Sequence, residues 1–379
     1  MRIHFINVVW GKKYVETFLR ISLPTQLAEG NLPGLKERGD IHYYLFTTEE
    51  DKEVIQSSPL YELLRKHVTF HFKLIKLLKG RQHHNLLTGF HIQAIKEADP
   101  LNAAMIFLSP DCIFSTGVFS KFVSLLEKGK RLVVGAGIRI TLEGVKEELS
   151  KQGELDKNQP IELSPEHLSK IAIPNLHHLT RGLFWNNEKI DTHSTHLYWK
   201  LDDETILLRP FHIHPFVVWP TVRGVFPCNT IDGPYTGKVV PCREDWEIMT
   251  DYSQATVFEM SSEAQFLESR KYKKPSILEM SAFIRRCTTP AHRYFATQKL
   301  IIGYGKRKKS WEKVEKSSDR VIFGILNSSP LYYIKVFFYG LFVKMWWYTK
   351  TSTLILIGKK KFTIEKFMNH FFPNRRQVE

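Results

Sequence analysis

Ala103-Ala104-Met105-Ile106-Phe107-Leu108-Ser109-Pro110-Asp111-Cys112-Ile113-Phe114-Ser115 is the stretch on which the reading of this chain turns. Its first six residues are apolar without a break, as befits a central strand covered on both faces of a parallel sheet. The run stops at Ser109-Pro110, and a lone carboxylate, Asp111, stands before a second apolar triplet. Working outward, strand-like runs recur at residues 2–9, 41–47 and 68–72. Helical stretches separate them: one from about Tyr14, interrupted by Pro24, one opening on Glu49-Glu50-Asp51, and an amphipathic one over residues 85–98. After Thr116-Gly117 comes a helix with Phe119, Phe122, Leu125 and Leu126 on one side, then a strand at residues 131–134. This alternation predicts an α/β fold, a doubly wound, mostly parallel sheet of Rossmann type. Such sheets take ligands in the crevice beyond the C-terminal ends of their strands. Three strand ends are therefore the places for a site: Val9-Trp10-Gly11, Phe46-Thr47-Thr48 and Leu108-Ser109-Pro110-Asp111.

From about residue 141 the texture changes. Helical residues 141–152 lead through a polar linker, 153–160, to Ser164-Pro165-Glu166, an N-cap, a first-turn proline and a first-turn acid. Residues 175–252 are dense in His, Trp, Pro and Asp and read as irregular strands and long loops. The expected organisation is a donor-binding half over residues 1–140, a mixed acceptor-binding and catalytic half over 141–300, and a basic, aromatic-rich helical tail over 301–379.

Composition bounds the possibilities. The chain has 379 residues, 43% hydrophobic and 25% charged, as in an ordinary globular protein. Four scattered cysteines, with no CxxC pair, argue against a zinc ribbon and make a reducing compartment the default. The N-terminal apolar stretch is too short for a signal peptide, so the expected location is the cytoplasm, peripheral to the inner face of the membrane. Of the net charge of +15, most lies in residues 301–379, where 16 Lys and Arg face five Asp and Glu. Lys335, Lys344 and Lys350 interrupt the aromatic run there, so no stretch reaches the ~20 apolar residues that span a bilayer. Basic and aromatic residues together suit an interfacial helix on an anionic membrane surface, against the plainer reading of a helix docked on the core. No RNP-like, helix-turn-helix or finger pattern accompanies the charge, which disfavours nucleic acid as a partner. GxGxxG and GxxxxGK[ST] are both missing, which disfavours dinucleotide oxidoreductases and P-loop enzymes.

The apolar strand ending in Ser109-Pro110-Asp111 resembles the DxD region of GT-A glycosyltransferases. In that family two acids after the fourth strand hold a divalent cation on the donor diphosphate. Ser109 replaces the first acid here, so the motif is degenerate and only Asp111 carries over. The resemblance implies a nucleoside-diphosphate sugar as donor, with Val9, Trp10 and Gly11 closing over the nucleotide and Trp10 stacking on the base. Thr47 would meet the base or ribose. It points to bacterial-type transferases that build cell-surface polysaccharides or glycolipids, and implies a glycan or lipid-linked acceptor.

The second cluster is Arg209-Pro210-Phe211-His212-Ile213-His214-Pro215. His212 and His214 share one face of an extended chain. Many GT-A enzymes add a late His to the metal, so His214, His212 and Asp111 are the expected metal ligands. An imidazole ligand favours Mn²⁺ over Mg²⁺. The alternative is a metal-free site in which Arg209, Arg223 or Arg181 clamps the diphosphate. A departing nucleoside diphosphate needs one or the other. A carboxylate must also take the proton of the acceptor hydroxyl if the reaction inverts. Asp232, in the turn-like Thr230-Ile231-Asp232-Gly233-Pro234, leads the candidates, followed by Asp203 in the run Asp202-Asp203-Glu204, while Glu244, Asp245 and Asp251 trail them. His177 and His178 are read as acceptor contacts or structural residues. Two rival readings stand beside this one: a GT-B transferase with two Rossmann halves, and a non-catalytic glycan- or membrane-binding protein on the same fold.

Overall fold

The computed structural model describes residues 1–77, 83–191, 194–266 and 272–328. In chain order its strands are Arg2–Val8 (β1), Asp40–Thr47 (β2), Thr69–Leu74 (β3), Ala104–Leu108 (β4), Cys112–Phe114 (β5), Leu132–Gly135 (β6), Arg139–Thr141 (β7) and Ile190–Asp191 (β8). There follow His196–Lys200 (β9), Thr205–Pro210 (β10), His214–Val218 (β11), Trp246–Ile248 (β12), Val257–Ser261 (β13), Tyr272–Lys273 (β14) and Leu300–Gly303 (β15).

Seven of these form one sheet in the order β12-β6-β11-β4-β1-β2-β3. β1 pairs in parallel with both β2 and β4, and β2 with β3. All five residues of β4 are buried, as its unbroken apolar sequence requires of a strand covered on both faces. β3, at the edge, leaves its residues partly or fully exposed. The helix Val118–Glu127 starts after Gly117, whose φ of +81° is the left-handed conformation glycine adopts without strain. It buries Phe119 against Phe5 of β1, ring centroids 5.0 Å apart.

One strand runs against the rest. β11 lies between β4 and β6, antiparallel to both. Its Pro215 has no N–H for the ladder, and the pairing register shifts between Pro215 and Val217. Because β11 is reversed, it begins where β4 and β6 end, so His214 starts at their C-terminal edge, opposite Gly135. β11 and β12 both come from beyond residue 140, so the division at that residue does not fall at a break in the fold: Met1–Asn327 pack as one compact unit. Of a second unit, Ser328–Glu379, only Ser328 lies among the described residues.

Past residue 140 the described residues add strands to the first sheet, form the small sheets β15-β10-β9 and β14-β8, and supply β13 to the sheet β5-β13-β7. No second parallel sheet of the GT-B kind occurs among them. The expected basic tail divides. β15 and the helix Lys309–Asn327 belong to the folded unit: β15 pairs with β10, and the helix buries Trp311, Ile322 and Ile325 in a core with Trp199 and Leu207. The aromatic stretch 331–348 lies outside the described residues. Among those described, no helix is long and apolar enough to cross a membrane.

Candidate functional site

The sheet β5-β13-β7 sits just past the ends of β4 and β6, since each of those strands resumes after a short turn as β5 or β7. β13 runs between them, and its central residue Glu259 is in register with Cys112 on one side and Arg139 on the other. Arg139 Nη2 lies 3.1 Å from Glu259 Oε2, and His214 Nδ1 lies 3.4 Å from Glu259 Oε1. Burial pushes the Glu259 carboxyl up, but the His214 hydrogen bond and the Arg139 charge outweigh it and hold the group well below the usual carboxylate range. Gly137 makes room for this carboxylate: a Cβ there would stand 2.3 Å from Oε1.

Asp111 occupies the turn between β4 and β5. Ser109 Oγ donates to its Oδ1 in a very short hydrogen bond, and the Met260 N–H donates to its carbonyl at 2.7 Å. Burial and the neighbouring Glu259 charge raise its pKa, an effect the Ser109 hydrogen bond only partly offsets. Ser109 and Asp111 are thus bound to each other.

Beside Glu259 opens a cavity of about 280 Å³. Arg139, Glu259, His212, His214 and Asp232 line it together with His196, Asp191, Thr195 and Tyr198, and Leu179 and Leu183 form an apolar flank. Burial holds His196 at a pKa of about 3, with smaller contributions led by His212. His91, on the helix His83–Ala98, is buried with its ring edge-on to Phe107 of β4, centroids 5.3 Å apart. Burial lowers its pKa to about 4, and the charges of Asp232 and His214 both act on it. Its neighbour Phe90 meets the Trp10 ring edge-on, with centroids 6.1 Å apart.

The expected residues fare unequally. Asp232, His212 and His214 line the cavity. His214 turns to Glu259, whereas the His212 ring packs on His292, centroids 5.1 Å apart. Among the described residues no three His, Cys, Asp or Glu side chains gather into a group that can hold a metal ion. Trp10 and Gly11 follow β1, half-buried and exposed, and do not line the cavity; the Gly11 N–H donates to Asp51 Oδ2 at 2.8 Å. Val9 and Thr47 are fully buried, which removes their side chains from contact with a nucleotide. Arg209 is corrected from a diphosphate clamp to a structural residue. Its guanidinium bonds Asp319 Oδ1 at 2.7 Å, Ser318 Oγ and the carbonyls of Ala296 and Thr297, and it does not line the cavity. Asp203 is likewise corrected: its side chain is 92% exposed in the β9–β10 turn and pairs with Lys200. His177 caps the helix His178–Arg181 and, like His178, meets a backbone carbonyl of the loop 262–265, while Arg181 pairs with Glu263.

Arg139, Glu259, His196 and His91 were missed. Two signals existed. Gly135-Ala136-Gly137 after an apolar strand leaves room for a close approach, and Glu259 is a lone acid in Val257-Phe258-Glu259-Met260, the pattern that singled out Asp111.

No protein-family model matches this chain, and no curated protein matches it. Among solved structures it is similar to S. aureus TarS, at 7% identity and a TM-score of 0.31 over 75% of this chain and 39% of that one. For TarS 1–349 the values are 8% and 0.32, over 86% of this chain and 71% of that one. A glucose-1-phosphate thymidylyltransferase from Bacillus anthracis, crystallised with sucrose, follows at 12% identity and a TM-score of 0.23, over 38% of this chain and 56% of that one. The chain thus spans about two fifths of the full TarS chain.

Proposed function

We propose that this protein is a glycosyltransferase that moves a sugar from a nucleoside-diphosphate donor to a hydroxyl of a glycan or lipid-linked acceptor. The observation that carries the reading is the gathering of Asp111, Glu259 and Arg139 beyond the ends of β4 and β6, beside the cavity that Asp232 lines. The crevice beyond the C-terminal ends of parallel strands is where α/β sheets receive nucleotides. In this reading the base lies near Trp10 and Gly11, and the diphosphate reaches the 109–111 turn and Arg139. As the bond from the sugar to the diphosphate breaks, the Arg139 guanidinium stabilises the charge that develops on the departing oxygen. Asp232 accepts the proton of the attacking hydroxyl; its Oδ1 has no hydrogen-bond partner among the described residues.

A divalent cation does not fit the residues as they stand. Among the described residues, Asp111 is engaged with Ser109, His214 with Glu259, and no third ligand joins them. The alternative of a glycan-binding protein without catalysis is favoured only by the Ser109–Asp111 bond, which occupies the carboxylate that the resemblance assigns to donor binding.

Incubation with a panel of nucleotide sugars, with and without Mn²⁺, separates the readings. Release of nucleoside diphosphate from one donor, lost in Arg139→Met and Asp232→Asn, supports the transferase. Absence of hydrolysis and of thermal stabilisation across the panel would overturn it.

A further inference from the structure

The helix Lys309–Asn327 has two unlike faces. Trp311, Ile322 and Ile325 fix one of them in the core. Lys309, Lys313, Lys316, Arg320 and Phe323 follow one another at steps of four, three, four and three residues, which sets them in one row on the opposite side, and all five are exposed. At a rise of 1.5 Å per residue the row is about 21 Å long. The acids of the helix leave it uncompensated. Glu315 faces Arg307 and Lys299, and Asp319 faces Arg209 and Lys299. Glu312 alone of the three is exposed, and among the described residues none of the four cations of the row forms a salt bridge. Phe323 ends the row 69% exposed, more than any other large apolar side chain described.

Unpaired cations in line with an aromatic ring complement a surface that is anionic at its face and apolar beneath. A bilayer containing anionic phospholipid is such a surface: its potential attracts Lys and Arg, and its interface accepts aromatic rings. Single-stranded nucleic acid fits less well, since it is held on successive aromatic rings and this row has one. The remainder of the chain fits no better, because residues 329–379 carry nine Lys and Arg against two Asp and Glu, and like charge opposes their lying on the row. We propose that this face of the helix docks the protein on an anionic phospholipid bilayer, with Lys309, Lys313, Lys316 and Arg320 against the headgroups and Phe323 in the interface. Docking rests on this helix and is independent of the transferase reading.

Flotation of the full chain with vesicles measures it. Vesicles of equal parts phosphatidylcholine and phosphatidylglycerol should bind the protein, vesicles of phosphatidylcholine alone should not, and raised salt should release it. The combined variant Lys313→Gln, Lys316→Gln, Arg320→Gln should bind roughly a hundredfold more weakly, at about fivefold for each cation removed. Phe323→Ser alone should cost about fivefold. A control, Lys36→Gln, Lys66→Gln, Lys128→Gln, removes the same charge from exposed sites on other elements and should change binding by less than about threefold. Equal binding to both kinds of vesicle, or a loss in the row variant no greater than in the control, overturns the proposal. Unchanged vesicle binding with a lowered Tm would put residues 329–379 on the row and overturn it too. Single-stranded RNA bound more tightly than the vesicles, with the same loss in the row variant, would assign the row to nucleic acid instead.

Discussion

Glu259→Gln keeps the shape of the side chain at the centre of the site and removes its charge. Arg139 then loses a counter-charge at 3.1 Å, and His214 loses an acceptor at 3.4 Å. Breaking a fully buried pair costs about 3–5 kcal/mol. Here the Glu259 and Arg139 side chains are 21% and 31% exposed, so solvent recovers part of that. Asp111 is also relieved of a like charge, a further offset. The net expectation is a loss of about 2 kcal/mol at pH 7, or roughly 4 °C in Tm. The pH dependence is more telling. The folded-state pKa of Glu259 lies well below the ordinary 4.5, so its contribution is complete above pH 4.5 and is lost as pH falls toward the folded value. The loss runs at about 1.4 kcal/mol per pH unit, so wild type and variant should converge near pH 3. Asp111, raised above 3.8, acts in the opposite sense: what its protonated form contributes is present below pH 3.8 and lost as pH rises. Urea denaturation followed by circular dichroism at pH 7, 5, 4 and 3 measures the gap. A gap that stays constant down to pH 3, or a variant more stable than wild type at pH 7, refutes the reasoning.

Asp232→Asn should lower the transfer rate by about 10²–10⁴ with little change in Tm, since it removes a proton acceptor whose Oδ1 supports no hydrogen bond; single-turnover kinetics on the cognate donor checks this. Arg209→Met should do the reverse, leaving nucleotide affinity unchanged while costing about 2–4 kcal/mol, because the buried guanidinium ties β10 to the helix Lys309–Asn327 through Asp319 and Ser318; titration calorimetry and urea denaturation read the two effects. Asp203→Ala, at a solvated turn, should stay within about 0.5 kcal/mol of wild type and keep full activity.

The part of the fold that depends on local pattern was readable from the residues. β4 was legible because its apolar run is continuous, β2 because it runs unbroken into the acidic helix start, and the helix Pro165–Ala172 because Ser164 caps it, accepting from the His167 N–H. The reversed β11 was not, because strand direction is decided by tertiary pairing and Pro215 speaks against a central strand. Of the residues singled out from the sequence, His212, His214 and Asp232 line the cavity, whereas Trp10 and Asp111 do not. The site was hidden where the contact is long-range: nothing local joins Arg139 to Glu259, 120 positions away, or His91 to Asp232. Arg209 failed because a guanidinium suited to phosphate is equally suited to carbonyls and a carboxylate inside a core.

A crystal structure of the full chain with a nucleoside diphosphate bound tests the central claim most directly. The account predicts the base against Trp10 and Gly11, and phosphate oxygens within hydrogen-bonding distance of the 109–111 turn and the Arg139 guanidinium. Nucleotide density anywhere else on the molecule, with the ends of β1 and β4 untouched, would contradict it.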